Sequence, residues 1–245
     1  MTKSIKSFSL CILIIIISLI SAGCSYSLQS EAVGDGAFSN PTPSVLRINV
    51  GDNIQQVIDR AADGSEIVIS SGRHLISKPV EINNRKNLSI TGKGEVWVES
   101  QKTDHQIFLI QNSNGILLKN IKAQHIYDKE KAKTQKPLDD NRKGSVVDVE
   151  NCGTVSFDGC ELVGCGIYGI FAGNTEEITV RNCYLHHNSV KALCFINTKG
   201  ITNVLIKNSR IVNNADFIQT EGNINVNMNE NNIIENNNKK AYLNR

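Results

Sequence analysis

Hydrophobic and polar residues alternate along the second half of the chain in four rows that share one layout. The rows begin at Val155, Ile178, Val204 and Val226, so that their starts lie 22 to 26 residues apart. In each row an alternating pair of apolar residues is followed by a short polar corner and then by a second alternating pair. A period of two predicts β-strands, and repetition at this spacing predicts stacked structural units.

A third alternating segment completes each unit. These segments begin at Val147, Ile170, Leu193 and Ile218. Three short strands cannot enclose a core alone, but stacked units can, because each strand then pairs in parallel with its counterpart about 4.8 Å along the axis. We therefore predict an all-β fold over residues 46–236. It is a single-stranded right-handed parallel β-helix with three sheets and about six or seven coils.

The stretch "GDNIQQVIDRAADGSEIVISSG" has a helical rather than a strand period. Ile54 and Val57 lie on one helical face, and Asp52 or Asn53 precedes them as an N-cap. Gly64 marks the end of the predicted helix. A short helix over the first coil would cover an open core and an unpaired strand edge, so we predict an N-terminal cap.

The chain resembles the pectate-lyase-like superfamily of right-handed β-helix proteins. The resemblance rests on "NIQQVIDRAADGSEIVISSGRHLISKPVEI", which is similar to the opening helix and first coil of that superfamily, and on the corners "VRNC" and "IKNS". It implies the fold strongly and an activity only weakly, since one fold hosts many functions. In enzymes of this superfamily a polysaccharide lies in a groove along one sheet, between long loops.

The N-terminus has the pattern of an export signal. Two lysines precede an apolar run and small residues, which predicts a signal peptide over residues 1–23. The triplet Ala22-Gly23-Cys24 resembles the lipid-acceptor motif of bacterial lipoproteins, although Ser21 stands where that family usually has an aliphatic residue. We expect lipidation at Cys24, an anchor in the outer membrane and a periplasmic or surface-facing domain. Ordinary cleavage and secretion are the alternative.

Two further segments flank the predicted β-helix. Residues 24–45 are rich in Ser, Gly and Pro and lack apolar periodicity, which predicts a flexible tether between the anchor and the folded domain. Residues 237–245 are too short for another coil and form a C-terminal tail. The predicted partners are therefore the membrane, through the anchor, and a polysaccharide or envelope glycan.

The charge of the chain argues against nucleic acid as a partner. The net charge is +2, with 20% charged residues. Tight binding to nucleic acid requires clustered lysine and arginine that neutralise phosphates.

The polar corners are rich in asparagine. Asn182 and Asn208 follow the first alternating pair of their rows, where Asn tolerates left-handed backbone angles and its amide can bond along the stack. We expect the same of Asn151, Asn174, Asn188, Asn197 and Asn214.

The stretch "VRNCYLHHNS" contains groups that zinc and copper prefer. Cys183, however, shares its row position with Cys160, Ser209 and Asn231, which predicts a small buried residue in a stacked column. Five of the seven cysteines lie in the predicted β-helix. We expect free thiols, because side chains stacked in register point the same way and a disulfide would require distortion.

The paired histidines of this stretch raise the question of a metal site. His186 is expected to lean inward or to line the edge of its coil, and His187 to lie on a solvated corner. The only histidine aligned near them is His125, at the position of Gly164 one coil earlier. We predict no metal site, with His125 and His187 as the alternative ligand pair.

One outward column of the third strand carries candidate binding chemistry. The column and its flanks are Asp148, Glu150, Tyr168, Phe171, Cys194, Gln219 and Glu221. We predict that Tyr168 and Phe171 are stacking platforms for a carbohydrate and that Asp148 and Gln219 supply hydrogen bonds. The only long insertion, residues 126–145, directly precedes this strand and forms either a groove wall or a solvated flap.

Two functions remain open. The first is a non-catalytic envelope protein that binds a glycan, favoured because the Asp-pair and Arg-x-Pro-x-x-Arg signatures of the superfamily's enzymes are absent. The second is a polysaccharide lyase or glycoside hydrolase for an acidic polysaccharide, with Asp148 and Glu150 or Glu221 as acids. No cofactor is expected, except calcium for a lyase. We expect Asp148 and Glu150 both to face outward only if the strand turns between them.

Overall fold

The computed structural model describes residues 42–126, 144–164, 167–228 and 231–237. The predicted signal peptide, Cys24, most of the tether, the insertion from 127 to 143, Cys165 and the tail from 238 lie outside the described residues. Within the described part, no helix has the length and apolar character needed to cross a bilayer.

One helix and seventeen strands make up the described part of the chain. The helix, α1, is Ile54–Arg60. The strands are β1 Val45–Ile48, β2 Glu66–Ile76, β3 Val80–Asn83, β4 Ser89–Ser100, β5 Phe108–Gln111, β6 Ile116–Lys119, β7 Lys122–His125, β8 Val147–Glu150, β9 Thr154–Asp158, β10 Glu161–Val163, β11 Tyr168–Gly173, β12 Glu177–Arg181, β13 Tyr184–His186, β14 Lys191–Lys207, β15 Arg210–Val212, β16 Ile218–Met228 and β17 Ile233–Glu235.

The strands pair in parallel, each with its counterpart one coil away, and build three sheets. Sheet A contains β1, β6, β9, β12, the first halves of β2 and β4 and the second halves of β14 and β16. Sheet B contains the second halves of β2 and β4 with β7, β10, β13, β15 and β17. Sheet C contains β3, β5, β8, β11 and the first halves of β14 and β16. The chain makes about seven right-handed turns, which confirms the predicted β-helix.

Alternate side chains fill the interior in vertical columns. On sheet A the column runs through Ile67, Ile90, Leu118, Phe157, Val180 and Ile206, each at most 1% exposed. The row starts Val155, Ile178, Val204 and Val226 pair in this order, as their spacing predicted. Because each strand buries one face, apolar residues recur at every second position, which is the pattern seen in the sequence.

Asparagine supplies left-handed backbone at the corners of the coils. Asn182 and Asn208 have φ of 54° and 50°, and Asn151 and Asn174 have φ of 52° and 48°, as predicted. Asn197 was expected to share this geometry, and that expectation is wrong. Its buried Oδ1 instead accepts hydrogen bonds from two backbone N–H groups of a local turn, where the pairing of β14 with β16 shifts register.

Three buried asparagines form an amide ladder at the third corner. Asn188 Nδ2 donates to Asn214 Oδ1 at 2.8 Å, and Asn214 Nδ2 donates to Asn237 Oδ1 at 2.9 Å. The left-handed positions fall one residue earlier, at His187 and Asn213, so the prediction for Asn188 and Asn214 was wrong in geometry. An amide carries both donors and an acceptor, so it can bond to the coils on either side.

The N-terminal end of the stack is capped as predicted. Asn53 is the N-cap of α1, and its Oδ1 accepts from the N–H of Gln56 at 3.2 Å. The helix ends at Arg60 rather than at Gly64, since its C-cap Ala61 is already extended, and the Arg85 guanidinium donates to carbonyls of its last turn and of Ala61. Charge-assisted bonds of this kind stabilise a helix C-terminus.

Candidate functional site

The outward face of sheet C aligns three of the four predicted binding residues, Asp148, Phe171 and Gln219, in one column with Cys194. The register places Asp148 beside Phe171, Phe171 beside Cys194, and Cys194 beside Gln219. Successive members lie one coil apart, about 4.8 Å along the axis. The predicted vertical order of this column is therefore confirmed.

Asp148 and Glu150 both face outward without any turn between them. In β8 the two valines are buried and the two acids are half-buried, because residues two apart in a strand share a face. The expectation that a turn would be needed was wrong. Glu150 is fixed by Gln111, whose Nε2 donates to Glu150 Oε2 at 2.8 Å.

Glu221 does not join this pair of acids. It shares an outward column with Glu150, but Gly173 and Ile196 lie between them. Three coils separate the two carboxylates by roughly 14 Å. Of the three predicted acids, the fold therefore brings together Asp148 and Glu150 only.

Asp148 has an unusual electrostatic environment. Burial raises its pKa to about 6, a hydrogen bond with Ser145 opposes the shift, and the charge of Glu150 adds to it. Within the described residues, Asp148 Oδ1 is buried without a hydrogen-bond partner. A carboxyl group of this kind carries a proton over part of the physiological pH range and can then donate a hydrogen bond.

Two aromatic rings lie beside this carboxyl group. The Tyr168 and Phe171 rings are stacked, with centroids 6.1 Å apart and an interplanar angle of 23°. Cys194, the vertical neighbour of Phe171 on the side away from Asp148, is only 1% exposed. Together the rings and polar groups form a half-buried, mixed apolar and polar surface, which we call the sheet C site: Asp148, Glu150, Tyr168, Phe171, Cys194 and Gln219.

Sheet B carries a second set of aromatic and charged residues that the sequence reasoning missed. Its outward column is Arg73, Trp97, Lys122, Glu161, Tyr184 and Arg210. Arg73 and Lys122, one coil below and one above, lie 5.6 and 5.0 Å from the Trp97 ring centroid. The signal was available in the residue that lies between the two members of each second inward pair, such as Glu161, Tyr184 and Arg210. The column was missed because only the third strand was aligned on its outer face.

The ion pairs of this column are extensive. Lys122 Nζ lies 3.0 Å from Glu95 Oε1 and 3.3 Å from Glu161 Oε2. Arg210 lies 5.2 Å from the Tyr184 ring centroid. The rings and charged side chains of this column therefore interact mainly with their vertical neighbours in the same column.

The two histidines of the stretch "VRNCYLHHNS" lie at the edge of sheet B. His186 Nε2 is 3.2 Å from Glu161 Oε1, and its Nδ1 is 2.6 Å from Nδ1 of His187. Burial lowers the pKa of both His186 and His125. Register places Gly164 between His125 and His187, so their backbones are roughly 10 Å apart. The described residues contain no cluster of three or more side chains suited to a metal.

The described cysteines, Cys152, Cys160, Cys183 and Cys194, are free and buried, as predicted. Cys160 and Cys183 are vertical neighbours, and their thiols donate to backbone carbonyls, that of Cys160 to Leu118 at 3.4 Å and that of Cys183 to Arg181 at 3.1 Å. Above them, the N–H of Cys183 donates to Ser209 Oγ and the N–H of Ser209 donates to Asn232 Oδ1. The column therefore continues to Asn232. The predicted member, Asn231, instead takes the left-handed corner.

Comparison with known proteins supports the architecture. The sequence model for the right handed beta helix region matches residues 107–244. No curated protein matches the sequence. Among solved structures, ORF18 of Geobacillus virus E2 superposes with a TM-score of 0.52 at 14% identity, over 73% of this chain and 41% of the viral chain. The chain thus spans less than half of the viral protein, and the likeness concerns the fold alone.

Proposed function

Because the chain belongs to the right-handed β-helix family, we propose that it is an envelope protein that binds a glycan on the sheet C site. The observation that carries the proposal is the pairing of the Tyr168 and Phe171 rings beside the buried carboxyl group of Asp148. Sugars present apolar ring faces and hydroxyl groups together. Stacked aromatic rings with a few adjacent hydrogen-bonding groups suit both features.

The column geometry adds a preference for an extended ligand. The members of the site repeat about every 4.8 Å, so a chain lying along the axis would meet several of them in succession. Gln219 lies two coils from Phe171 and extends the surface in that direction. We therefore propose an oligosaccharide rather than a single sugar as the ligand.

Binding can be tested by titration calorimetry with three hexasaccharides: cellohexaose, chitohexaose and hexagalacturonate. We expect at least one to bind the wild-type chain, and Phe171→Ala to weaken it about tenfold or more, as a truncated aromatic anchor does. Tyr184→Ala, an aromatic truncation on sheet B, is the matched control and should leave the affinity unchanged. Failure of all three sugars to bind, or equal losses in both variants, would contradict the proposal.

We further propose that the protein is exported and anchored through a lipid on Cys24. The support is the run of basic, apolar and small residues that ends at Ala22-Gly23-Cys24. Metabolic labelling with a fatty acid should mark the wild-type chain but not Cys24→Ser, and the variant should leave the membrane fraction. An unlabelled chain that begins at residue 24 would instead indicate ordinary secretion.

A second candidate function is glycoside hydrolysis, favoured by the pKa of Asp148. Asp148 could act as a general acid while Glu150 stays ionised as the base. The two acids lie on the same outward face of β8, two residues apart. Release of reducing ends from the three hexasaccharides, lost in both Asp148→Asn and Glu150→Gln, would support this function.

Calcium-dependent lyase chemistry is supported less well. Calcium takes six or more oxygen ligands from converging groups. Of the three predicted acids, only Asp148 and Glu150 lie together, two residues apart on one strand, and Glu221 is three coils away. These acids therefore do not fit a shared calcium site, and no step through the ion is proposed.

A further inference from the structure

The N-terminal end of the stack is closed in two ways. The helix α1 buries Ile54, Val57 and Ile58 over the first coil. The side chain of Gln55 closes the free edge of β3, because its Oε1 accepts from the N–H of Glu81 at 2.7 Å and its Nε2 donates to the carbonyl of Glu81 at 3.0 Å. Apolar side chains and backbone groups are therefore both covered at this end.

The last coil has no such cover within the described residues. Met228 is 49% exposed and Thr220 is also exposed, although both lie at inward positions. Their vertical neighbours one coil earlier, Ile206 and Phe195, are fully buried. Exposed apolar surface of this kind marks a contact with another segment or molecule.

The edge of β16 is open as well. Among the described residues, β16 pairs with β14 alone. The N–H of Leu193 donates to the carbonyl of Phe217. Because the backbone groups of a strand alternate in direction, those of Gln219 face β14, and those of Ile218 and Thr220 face the open edge. β16 contains neither lysine nor proline, the residues that commonly protect a free edge, so it can accept another parallel strand.

The sequence after Asn237 continues the pattern of sheet C. Asn237 shares the amide ladder with Asn214, and the sheet C strand of that coil begins four residues after Asn214, at Ile218. Four residues after Asn237, residues 241–243 read Ala, Tyr and Leu, which repeats the inward, outward and inward order of residues 218–220. The match to the right-handed β-helix family also runs to residue 244.

The alternation of apolar residues selects this register. An offset of five residues, which separates Asn188 from Leu193 one coil earlier, would pair Leu243 with outward Gln219 and expose it. With an offset of four, Ala241 and Leu243 both continue inward columns. A shift of one residue exchanges the inner and outer faces of a strand, so only one of the two registers buries these side chains.

We propose that residues 238–245 bind the open edge of β16 as a further parallel strand of sheet C, with Ala241 beside Ile218 and Leu243 beside Thr220. Eight extended residues reach roughly 26 Å, enough for a three-residue corner and a short strand. The segment is thus too short for another coil but long enough to close one side of the open end. The inference goes beyond the proposed function, since it concerns the end of the stack rather than its lateral face.

The test is amide hydrogen exchange, followed by nuclear magnetic resonance on the full chain. The amides of Ile218 and Thr220 should exchange at least about tenfold more slowly in wild type than in a chain that stops after Asn237, because each donates to the added strand. The amide of Gln219, which faces β14, should be equally protected in both chains and reports that the last coil stays folded. Equal exchange of Ile218 and Thr220 in the two chains would overturn the proposal.

Two point variants test the register. Leu243→Glu places a charge on the inward face and should remove the protection of the Ile218 and Thr220 amides. Tyr242→Glu, the matched control, places the same charge on the outward face and should keep that protection. The reverse result would overturn the proposal. Protection that appears only at concentrations where light scattering gives a dimer would also overturn it, because a second copy would then cover the end.

Discussion

Sheets B and C are two faces of one stack, and both carry aromatic rings beside carboxylates. On sheet B the neighbours of Trp97 above and below are cations, so the ring faces are covered. On sheet C the neighbours of Phe171 are Asp148 and Cys194, and its ring packs against Tyr168 instead. In a parallel stack the residue directly above or below an aromatic ring therefore decides whether the ring face is covered by its neighbours or left for a ligand.

The largest expected difference between the two faces is in ligand affinity. The double variant Tyr168→Ala/Phe171→Ala should weaken hexasaccharide binding at least thirtyfold, about 2 kcal/mol, since it removes both stacking surfaces. Titration calorimetry measures the change. A double variant that binds like wild type would place the ligand elsewhere, and the contrast between the faces would then carry no functional meaning.

The converse variant on sheet B should change stability rather than affinity. Trp97→Ala removes a half-buried ring and its two cation contacts, so we expect the free energy of unfolding to fall by about 2 kcal/mol. Urea unfolding measures this loss, and hexasaccharide affinity should not change. Should the affinity fall while the stability holds, sheet B would be the binding face.

The pH dependence of stability should differ in sign between the faces, with the larger effect on sheet C. Asp148 has a pKa of about 6 in the folded state, above its ordinary 3.8, so the folded state binds the proton more tightly. Stability should therefore rise as the pH falls from 7 through 6 towards 4. Asp148→Asn should remove this rise and stabilise the protein at pH 7 by roughly 2 kcal/mol. A variant that keeps the wild-type pH profile would contradict the assignment.

His186 on sheet B should give a smaller effect of opposite sign. Burial lowers its pKa below the ordinary 6.5, so the unfolded state binds the proton more tightly. Its contribution to stability is present above pH 6.5 and is lost as the pH falls below that value. His186→Gln should flatten this part of the profile in urea unfolding curves collected between pH 5 and 7.5. An unchanged slope would show that another group titrates there.

The register of the fold was predictable because it follows from the period of the apolar residues. A one-residue shift would move a strand's inner residues to its outer face, so Val180 and Ile206 had to be vertical neighbours. The same alignment gave the order of Asp148, Phe171 and Gln219 on sheet C. What it could not give was the end of the stack, where Asn232 rather than Asn231 continues the polar column. There the length of the corner, and not hydrophobic periodicity, sets the register.

The arrangement of Tyr168 and the pKa of Asp148 could not be predicted from the sequence for a different reason. The stacking of Tyr168 on Phe171 occurs in a strand whose alternation breaks at Gly169, and a pattern argument assumes that no break occurs. The pKa of Asp148 depends on burial by the surrounding chain. Both features depend on packing between residues that are distant in sequence, and a local pattern does not contain this information.

A crystal structure of the full chain with a bound hexasaccharide would test the central claim most directly. The account predicts a sugar ring stacked on Tyr168 or Phe171, with hydroxyl groups within hydrogen-bond distance of Asp148 or Gln219. A sugar seated instead along the Trp97 and Tyr184 column would contradict it.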